Sequence, residues 1–438
     1  MTAHRHSRTG QPSRREFLRL GALVWGGLTL PELLRDRALS APGNSGRCRA
    51  VIQIFLGGGP SHLDMYDLKP DAPAEIRGEF CPIATSLSGG FLSEHLPQQA
   101  SVLHQMAVLR SGTHNVSSHL PGSHLIQTGH PQGNPSAQNQ NPSSGSVVAR
   151  LRGANEPGLP AYVAVPRPAS YGAAAYLGAA YNPFTTDLEP NSRDFRVRSL
   201  KLESGLTVDR LHTRQNLLGQ FDRLRRDLDL DGNLAGMDSF SNQALQLVTS
   251  ERAARAFQIS EEPEAVRERY GWTNIGQNCL LARRLVEAGV TYVTCLSGGG
   301  WDTHQNNFAE LKNVSLPRYD QAVAALVSDL SERGLDRDVL VMACGEFGRT
   351  PTINKSAGRD HWPSAMSVVF AGGGLKMGQF VGSTDSRGAY PTSHPATPGD
   401  ILATVYHALG IDFRREFSDH SGRPIRVLPE GRPIPQLV

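Results

Sequence analysis

Short apolar runs recur along the chain, with glycine or proline at or soon after their ends, and most are separated by stretches of helical spacing. Ala50-Val-Ile-Gln-Ile-Phe-Leu56 is continuous and rich in β-branched residues, and it ends in Gly57-Gly58-Gly59-Pro60. That pattern predicts a buried central strand followed by a loop whose backbone can approach a ligand closely. The same reading predicts strands over Met106–Leu109, Tyr162–Val165, Thr291–Leu296, Val339–Ala343 and Met366–Phe370. Helical spacing falls over Pro97–His104, Asn278–Glu287, Tyr319–Arg333 and Asp400–Leu409, the last three followed by Gly289, Gly334 and Gly410. Alternating helices and buried strands predict an α/β fold, with a mainly parallel central sheet and helices on both faces. Residues 195–270 change character: they are Arg-, Leu- and Asp-rich at helical spacing and predict a helical insertion or cap. Residues 130–146, rich in Asn, Gln, Ser and Pro, predict a surface loop.

Composition narrows this picture. The chain has 438 residues, 39% hydrophobic and 19% charged, which is a globular balance with enough length for a sizeable core. Its 45 Gly and 29 Pro predict many tight turns. No uninterrupted apolar run reaches the roughly 20 residues of an ordinary membrane span. The formal net charge of +3 is concentrated at the start: residues 1–40 hold seven Arg against three acids, a local +4, so the remainder carries −1. That remainder offers no basic face for nucleic acid. Five cysteines, at 48, 81, 279, 295 and 344, form no C-x-x-C pair, which argues against a thiolate zinc site and favours small buried hydrophobes.

The basic start has an order of its own. Ser13-Arg14-Arg15-Glu16-Phe17-Leu18-Arg19 precedes a short, glycine-diluted apolar run over Leu20–Leu30, with small residues at Ala38, Ser40 and Ala41. This reads as a twin-arginine export signal over residues 1–41, followed by a mature domain over 47–438. The expected destination is periplasmic or extracytoplasmic, with the twin-arginine export machinery as a partner.

In a parallel sheet, ligands bind beyond the carboxyl ends of the strands. After the first strand come His62 and Asp64; after Thr291–Leu296 come Trp301, Asp302 and His304; after Val339–Ala343 comes Gly345-Glu346-Phe347-Gly348-Arg349, and then Gly358-Arg359-Asp360-His361-Trp362. Imidazole with carboxylate is a ligand set for Zn²⁺, Mn²⁺ or Fe, and a carboxylate can also orient a histidine through its other ring nitrogen. Arg349 is placed to donate bidentately to a phosphate or sulfate oxygen, or to form a structural salt bridge. A second dense region, Thr113-His114-Asn115-Val116-Ser117-Ser118-His119, runs on to His124 and His130 and reads either as solvated loop histidines or as a loop-to-helix turn facing an anion. Asp227-Leu-Asp-Leu-Asp-Gly232 resembles the start of a calcium loop, but its twelfth position is Asp238 rather than Glu, which argues against calcium.

Taken together, the Gly57–Asp64, Gly300–His304, Gly345–Pro351 and Gly358–Trp362 motifs, with the leader, resemble the domain of unknown function 1501 family of exported bacterial proteins, related to the alkaline phosphatase and sulfatase superfamily. The resemblance runs over about residues 47–435. It implies an alkaline-phosphatase-like three-layer sandwich, one or two divalent metals at the sheet's C-terminal edge, and hydrolysis of a phosphate or sulfate ester on a small molecule or glycan. By resemblance, Asp302 and His304 match one ligand pair, Asp360 and His361 replace a pair lost where Phe347 follows Glu346, and His62 and Asp64 follow the first strand. The superfamily's nucleophile stands ten residues before the Gly of a turn that here is Ile126-Gln127-Thr128-Gly129, which lands on His119. A formylglycine is thereby disfavoured, and His119 stays open as metal ligand, nucleophile or general acid. The alternative function is a non-catalytic exported protein on the same scaffold, holding a polyanionic glycan or cell-surface partner.

Overall fold

The computed structural model describes residues 48–133, 138–197, 247 and 249–438. The leader with its arginine pair, the calcium-like stretch 227–238 and most of the expected insertion over 195–270 lie outside the described residues.

Eight strands form one sheet: β1 (Ala50–Phe55), β2 (Met106–Gly112), β3 (Tyr162–Val165), β4 (Phe184–Thr185), β5 (Tyr292–Leu296), β6 (Val339–Cys344), β7 (Met366–Gly372) and β8 (Gln379–Val381). Their spatial order is β8-β2-β7-β6-β1-β5-β3-β4. Every neighbouring pair is parallel except those of β7, which runs antiparallel to both β6 and β2. The sheet is therefore mainly parallel, as the alternation of strands and helices predicts, with one reversed strand that the Met366–Phe370 apolar run could not signal. An apolar run states burial; it carries no strand direction.

The pleat sends alternate residues of β1 to opposite faces. Ile52 and Ile54 belong to one core cluster, Val51 and Phe55 to the other, and all are buried. The first face is covered by α4 (Asn274–Ala288) and α5 (Leu316–Glu332), with α1 (Pro97–Val102) at its margin; the second by α2 (His119–Thr128), α3 (Ser144–Arg152) and α6 (Pro398–Ala408). Helix α4 starts four residues earlier than its apolar pattern suggests because the Thr273 hydroxyl accepts a hydrogen bond from Gly276 N–H and caps it. Within the expected insertion, Glu251–Phe257 and Glu264–Tyr270 are helices that join the first core. Four of the cysteines are buried and free, and Cys81 is exposed. No helix among the described residues is long and apolar enough to cross a membrane.

Candidate metal centre

Four sequence-distant segments meet at the C-terminal edge of the sheet. Three follow β2, β5 and β6 and bring His119, Asp302 with His304, and Glu346 with Arg349. The fourth is the strand His361–Trp362, which pairs antiparallel with Gly348–Arg349 so that His361 stands opposite Arg349. Two glycines let these loops close up. A Cβ at Gly58, where φ is +118°, would lie 2.6 Å from the Asp302 backbone nitrogen, and one at Gly358 would lie 2.0 Å from the His304 carbonyl oxygen. Any side chain at either position would push the Asp302–His304 loop away.

Three imidazoles point inward on Asp302. His119 Nε2 stands 3.2 Å from Asp302 Oδ2, while His304 Nε2 and His361 Nε2 stand 3.2 and 3.3 Å from Asp302 Oδ1. His304 Nε2 and His361 Nε2 are 2.9 Å apart. One ligand atom each from His119, Asp302 and His361 all fall within 4.8 Å of one another. Each ring is held from behind by an oxygen on Nδ1. Glu346 Oε1 lies 2.6 Å from that of His119, Asp360 Oδ1 2.6 Å from that of His304, and the Ser117 carbonyl 2.7 Å from that of His361. Oxygens of this kind accept, so each Nδ1 carries a proton, and a ring that is neutral when so held turns its Nε2 lone pair inward. Nε2 atoms this close to one carboxylate are held either by an Nε2 proton donated to Asp302 or by a cation lying among them. The donor set of imidazole nitrogens and a carboxylate fits a divalent ion of the zinc or manganese kind, and the oxygens behind the rings fix their tautomers.

The floor of the centre is rigid and its rim is wet. Glu346 is buried, and Gly58 N–H donates to both its carboxylate oxygens at 2.9 and 3.1 Å. The Phe347 ring lies beneath two of the imidazoles, its centroid 5.2 Å from that of His119 and 4.4 Å from that of His361. Phe347 thus acts as an apolar base for the ring of His361. Asp302, His304 and Asp360 are about half exposed, so solvent reaches the cluster.

Charge on Asp302 is set by its partners. Burial raises its carboxyl, but the Arg349 guanidinium 2.6 Å away, with His119 and His361 beside it, holds it down at about 2. The hydrogen bond to Glu346 raises His119 above the ordinary imidazole range against the opposing effect of burial. Burial lowers His361, and the hydrogen bond from His304 lowers Asp360.

Several residues expected at the centre stand elsewhere or play another part. Arg349 is completely buried; besides Asp302 it donates to the carbonyls of Gly59 (2.8 Å), Arg359 (3.0 Å), Trp301 (3.0 Å) and Gly58. With its N–H groups committed to the protein, it holds the loops together and does not face an ester oxygen. Asp360 and Glu346 touch the cluster through histidine Nδ1 atoms instead of presenting oxygens to its centre. His62 and Asp64 do not join it. Both Asp64 oxygens are engaged by the buried Arg359 (2.8 and 3.0 Å), with Ser61 and Asn307 also donating, so Asp64 clamps the 350–360 loop. The His62 ring is buried, donates through Nε2 to the Gly388 carbonyl at 2.8 Å, and is pushed towards neutrality by that burial. Sequence reasoning missed the roles of Arg359 and of the Ser117 carbonyl. The Gly358-Arg359-Asp360-His361 motif marks Arg359, whereas a backbone carbonyl leaves no residue-type signal.

These features define a mainly parallel α/β protein with a histidine–carboxylate cluster at the carboxyl edge of its sheet. The chain belongs to the family described as "Protein of unknown function (DUF1501)", whose pattern matches residues 48–438. No curated protein matches it. Among solved structures it is similar to the lipoteichoic acid synthase LtaP from Listeria monocytogenes, at 10% identity over 86% of this chain and 78% of that one, with a TM-score of 0.32. It is similar also to the PsFucS1 sulfatase from Pseudoalteromonas sp., at 10% identity over 86% of this chain and 70% of that one, TM-score 0.36. Ps i-CgsB in complex with k-i-k-neocarrahexaose is similar at 10% identity over 84% and 73%, TM-score 0.38.

Proposed function

We propose that the protein is an exported, metal-dependent hydrolase of phosphate or sulfate esters. The observation that carries the metal is the inward convergence of three Nε2 atoms on Asp302, each with its Nδ1 held by an oxygen. Asp302, His361 and His119 would hold a divalent ion, with His304 alongside. Bound there, the metal would polarise the ester's non-bridging oxygens and lower the pKa of a bound water. The protein's own groups do the positioning. Glu346, Asp360 and the Ser117 carbonyl fix the rings, and Arg349 keeps Asp302 anionic. The ester class follows from the resemblance of the four motifs, and export follows from Arg14-Arg15. The test is a panel of aryl phosphates and aryl sulfates offered to the metal-loaded protein. Turnover of either ester class that is lost on chelation, and in His119→Ala together with bound metal, supports this reading; no turnover by the metal-loaded protein overturns it.

A second reading is a non-catalytic exported protein that holds a polyanionic glycan or cell-surface partner. It is favoured by an imidazole at residue 119, where the superfamily resemblance places a hydroxyl or thiol-derived nucleophile. Bound metal with no turnover across the panel would select this reading.

A further inference from the structure

A cavity of about 310 Å³ lies against the loop Ser297–Trp301, which leads from β5 to Asp302, and none of the clustered histidines lines it. Its lining combines three kinds of surface. Trp272 presents an indole that is 48% exposed, with the Arg267 guanidinium 4.4 Å over its ring. That indole also borders a second cavity of about 630 Å³, so it stands between two hollows. Its backbone is fixed, because Trp272 directly precedes Thr273, the cap of the fifteen-residue helix α4. Asn274 adds an amide, and Asn191 and Ser297 add acceptor oxygens, since Asn191 Nδ2 donates to the Trp272 carbonyl and the Ser297 hydroxyl to the Gly298 carbonyl. Arg318, exposed at the cavity, has no ion-pair or hydrogen-bond partner among the described residues. The loop edge is open: a Cβ at Gly298 or Gly299 would meet nothing within 4 Å.

The chemistry of this lining selects its ligand. Pockets for apolar ligands are lined mainly by hydrophobic side chains, and this one is not. An indole face packs on the C–H face of a sugar ring, and amide and hydroxyl side chains match ring hydroxyls. An uncommitted guanidinium matches a carboxylate or sulfate. The volume sits at the small end of ligand cavities, about 300–1,000 Å³, which suits a single residue of a chain.

We propose that this cavity binds a sugar unit bearing an anionic substituent, and that the ester cleaved at the neighbouring centre is carried on an anionic glycan. The second half rests on the hydrolase reading; the binding itself does not. The experiment titrates glucuronic acid, galactose 6-sulfate, uncharged galactose and adenosine monophosphate into the full mature protein, read by saturation-transfer NMR and tryptophan fluorescence, with and without chelator. Both anionic sugars are expected to bind at least tenfold more tightly than galactose, with chelator making no difference. Arg318→Gln should bring them to the level of galactose. Trp272→Ala should abolish binding, and so should Gly299→Leu, which fills the space without requiring a left-handed backbone. Absence of binding by both anionic sugars overturns the proposal. So does unchanged binding in Trp272→Ala and Gly299→Leu, or binding of the nucleotide alone. Sugar binding by a protein without stoichiometric metal would sink the hydrolase reading and leave this site standing.

Discussion

The Nε2 atoms of His304 and His361 stand 2.9 Å apart, although the Nδ1 of each already faces an oxygen, on Asp360 and on Ser117. Rings held in this way meet favourably when one carries a second proton and donates it to the other, or when a metal ion takes the place of that proton. A ligand that binds the folded chain and not the unfolded one stabilises it by mass action. Zinc or manganese added to metal-stripped protein should therefore raise its Tm. In the double variant Asp302→Ala with His304→Ala the rise should vanish. An equal rise in the variant, followed by differential scanning fluorimetry, would place the metal elsewhere.

Glu346 acts through His119, which makes it a positioning residue. One oxygen, Oε1, accepts from both Gly58 N–H at 2.9 Å and His119 Nδ1 at 2.6 Å, so Glu346→Leu is the change that removes the acceptor behind the ring while keeping its bulk. The ring should respond by moving its proton to Nε2, where it faces Asp302 instead of a metal. Loss of such an orienting partner lowers metal affinity by about 10–100-fold. Competition titration against a chromogenic chelator, on the variant checked for folding by circular dichroism, should show that loss. Unaltered affinity, with His119 nitrogen shifts in NMR still reporting a proton on Nδ1, would contradict the assigned role.

Away from the centre, Arg283 is buried among Glu262 (2.8 Å), Asp329 (3.0 Å) and Glu287 (2.7 Å). Burial alone would raise Glu262 and Asp329. Arg283 and Arg284 nevertheless hold Glu262 below its usual 4.5, and Arg333, Tyr270 and Arg283 hold Asp329 below 3.8. A carboxyl whose folded pKa is depressed adds stability that is fully present above its unfolded pKa and is lost as the pH falls through the folded value. Stability should therefore be flat above about pH 5 in respect of this cluster and decline below about pH 4.5. Asp329→Asn should be less stable than wild type at pH 7, with a smaller further loss on acidification. Urea unfolding at pH 7 and pH 4 checks it, and parallel losses in the two proteins would refute the linkage.

The proposed export route rests on the pair Arg14-Arg15. Arg14→Lys with Arg15→Lys keeps the charge and the apolar run, so it isolates recognition of the twin-arginine signal from general basicity. Fractionation of the native host should find precursor retained in the cytoplasm. Normal appearance of the mature chain outside would rule the route out.

Much of the frame could be read before the structure, because burial leaves a residue-type signature. Ala50–Phe55, Tyr162–Val165 and Val339–Cys344 stand as the apolar runs indicate, and Gly289, Gly334 and Gly410 follow the helices they were expected to close. The direction of β7 was not legible, since pairing partners are not written in an apolar run. At the candidate centre the paired motifs pointed to Asp302, His304, Asp360 and His361, which do meet. What spacing could not separate is an inward Nε2 from a supporting oxygen, so Asp360 and Glu346 were grouped with the ligands they support. Asp64 misled for a similar reason: its partner Arg359 lies 295 positions away, and nothing local announces a buried clamp. Arg349 likewise reads as an anion binder until its carbonyl partners are seen.

The most direct test of the central claim is elemental analysis of the protein purified from its native host beside the variant Asp302→Ala with His361→Ala, both checked for folding by circular dichroism. The account predicts at least one tightly held divalent ion per chain, zinc or manganese, in the wild type and its loss from the variant. A folded wild type with no stoichiometric metal, or a variant that retains the same content, would contradict it.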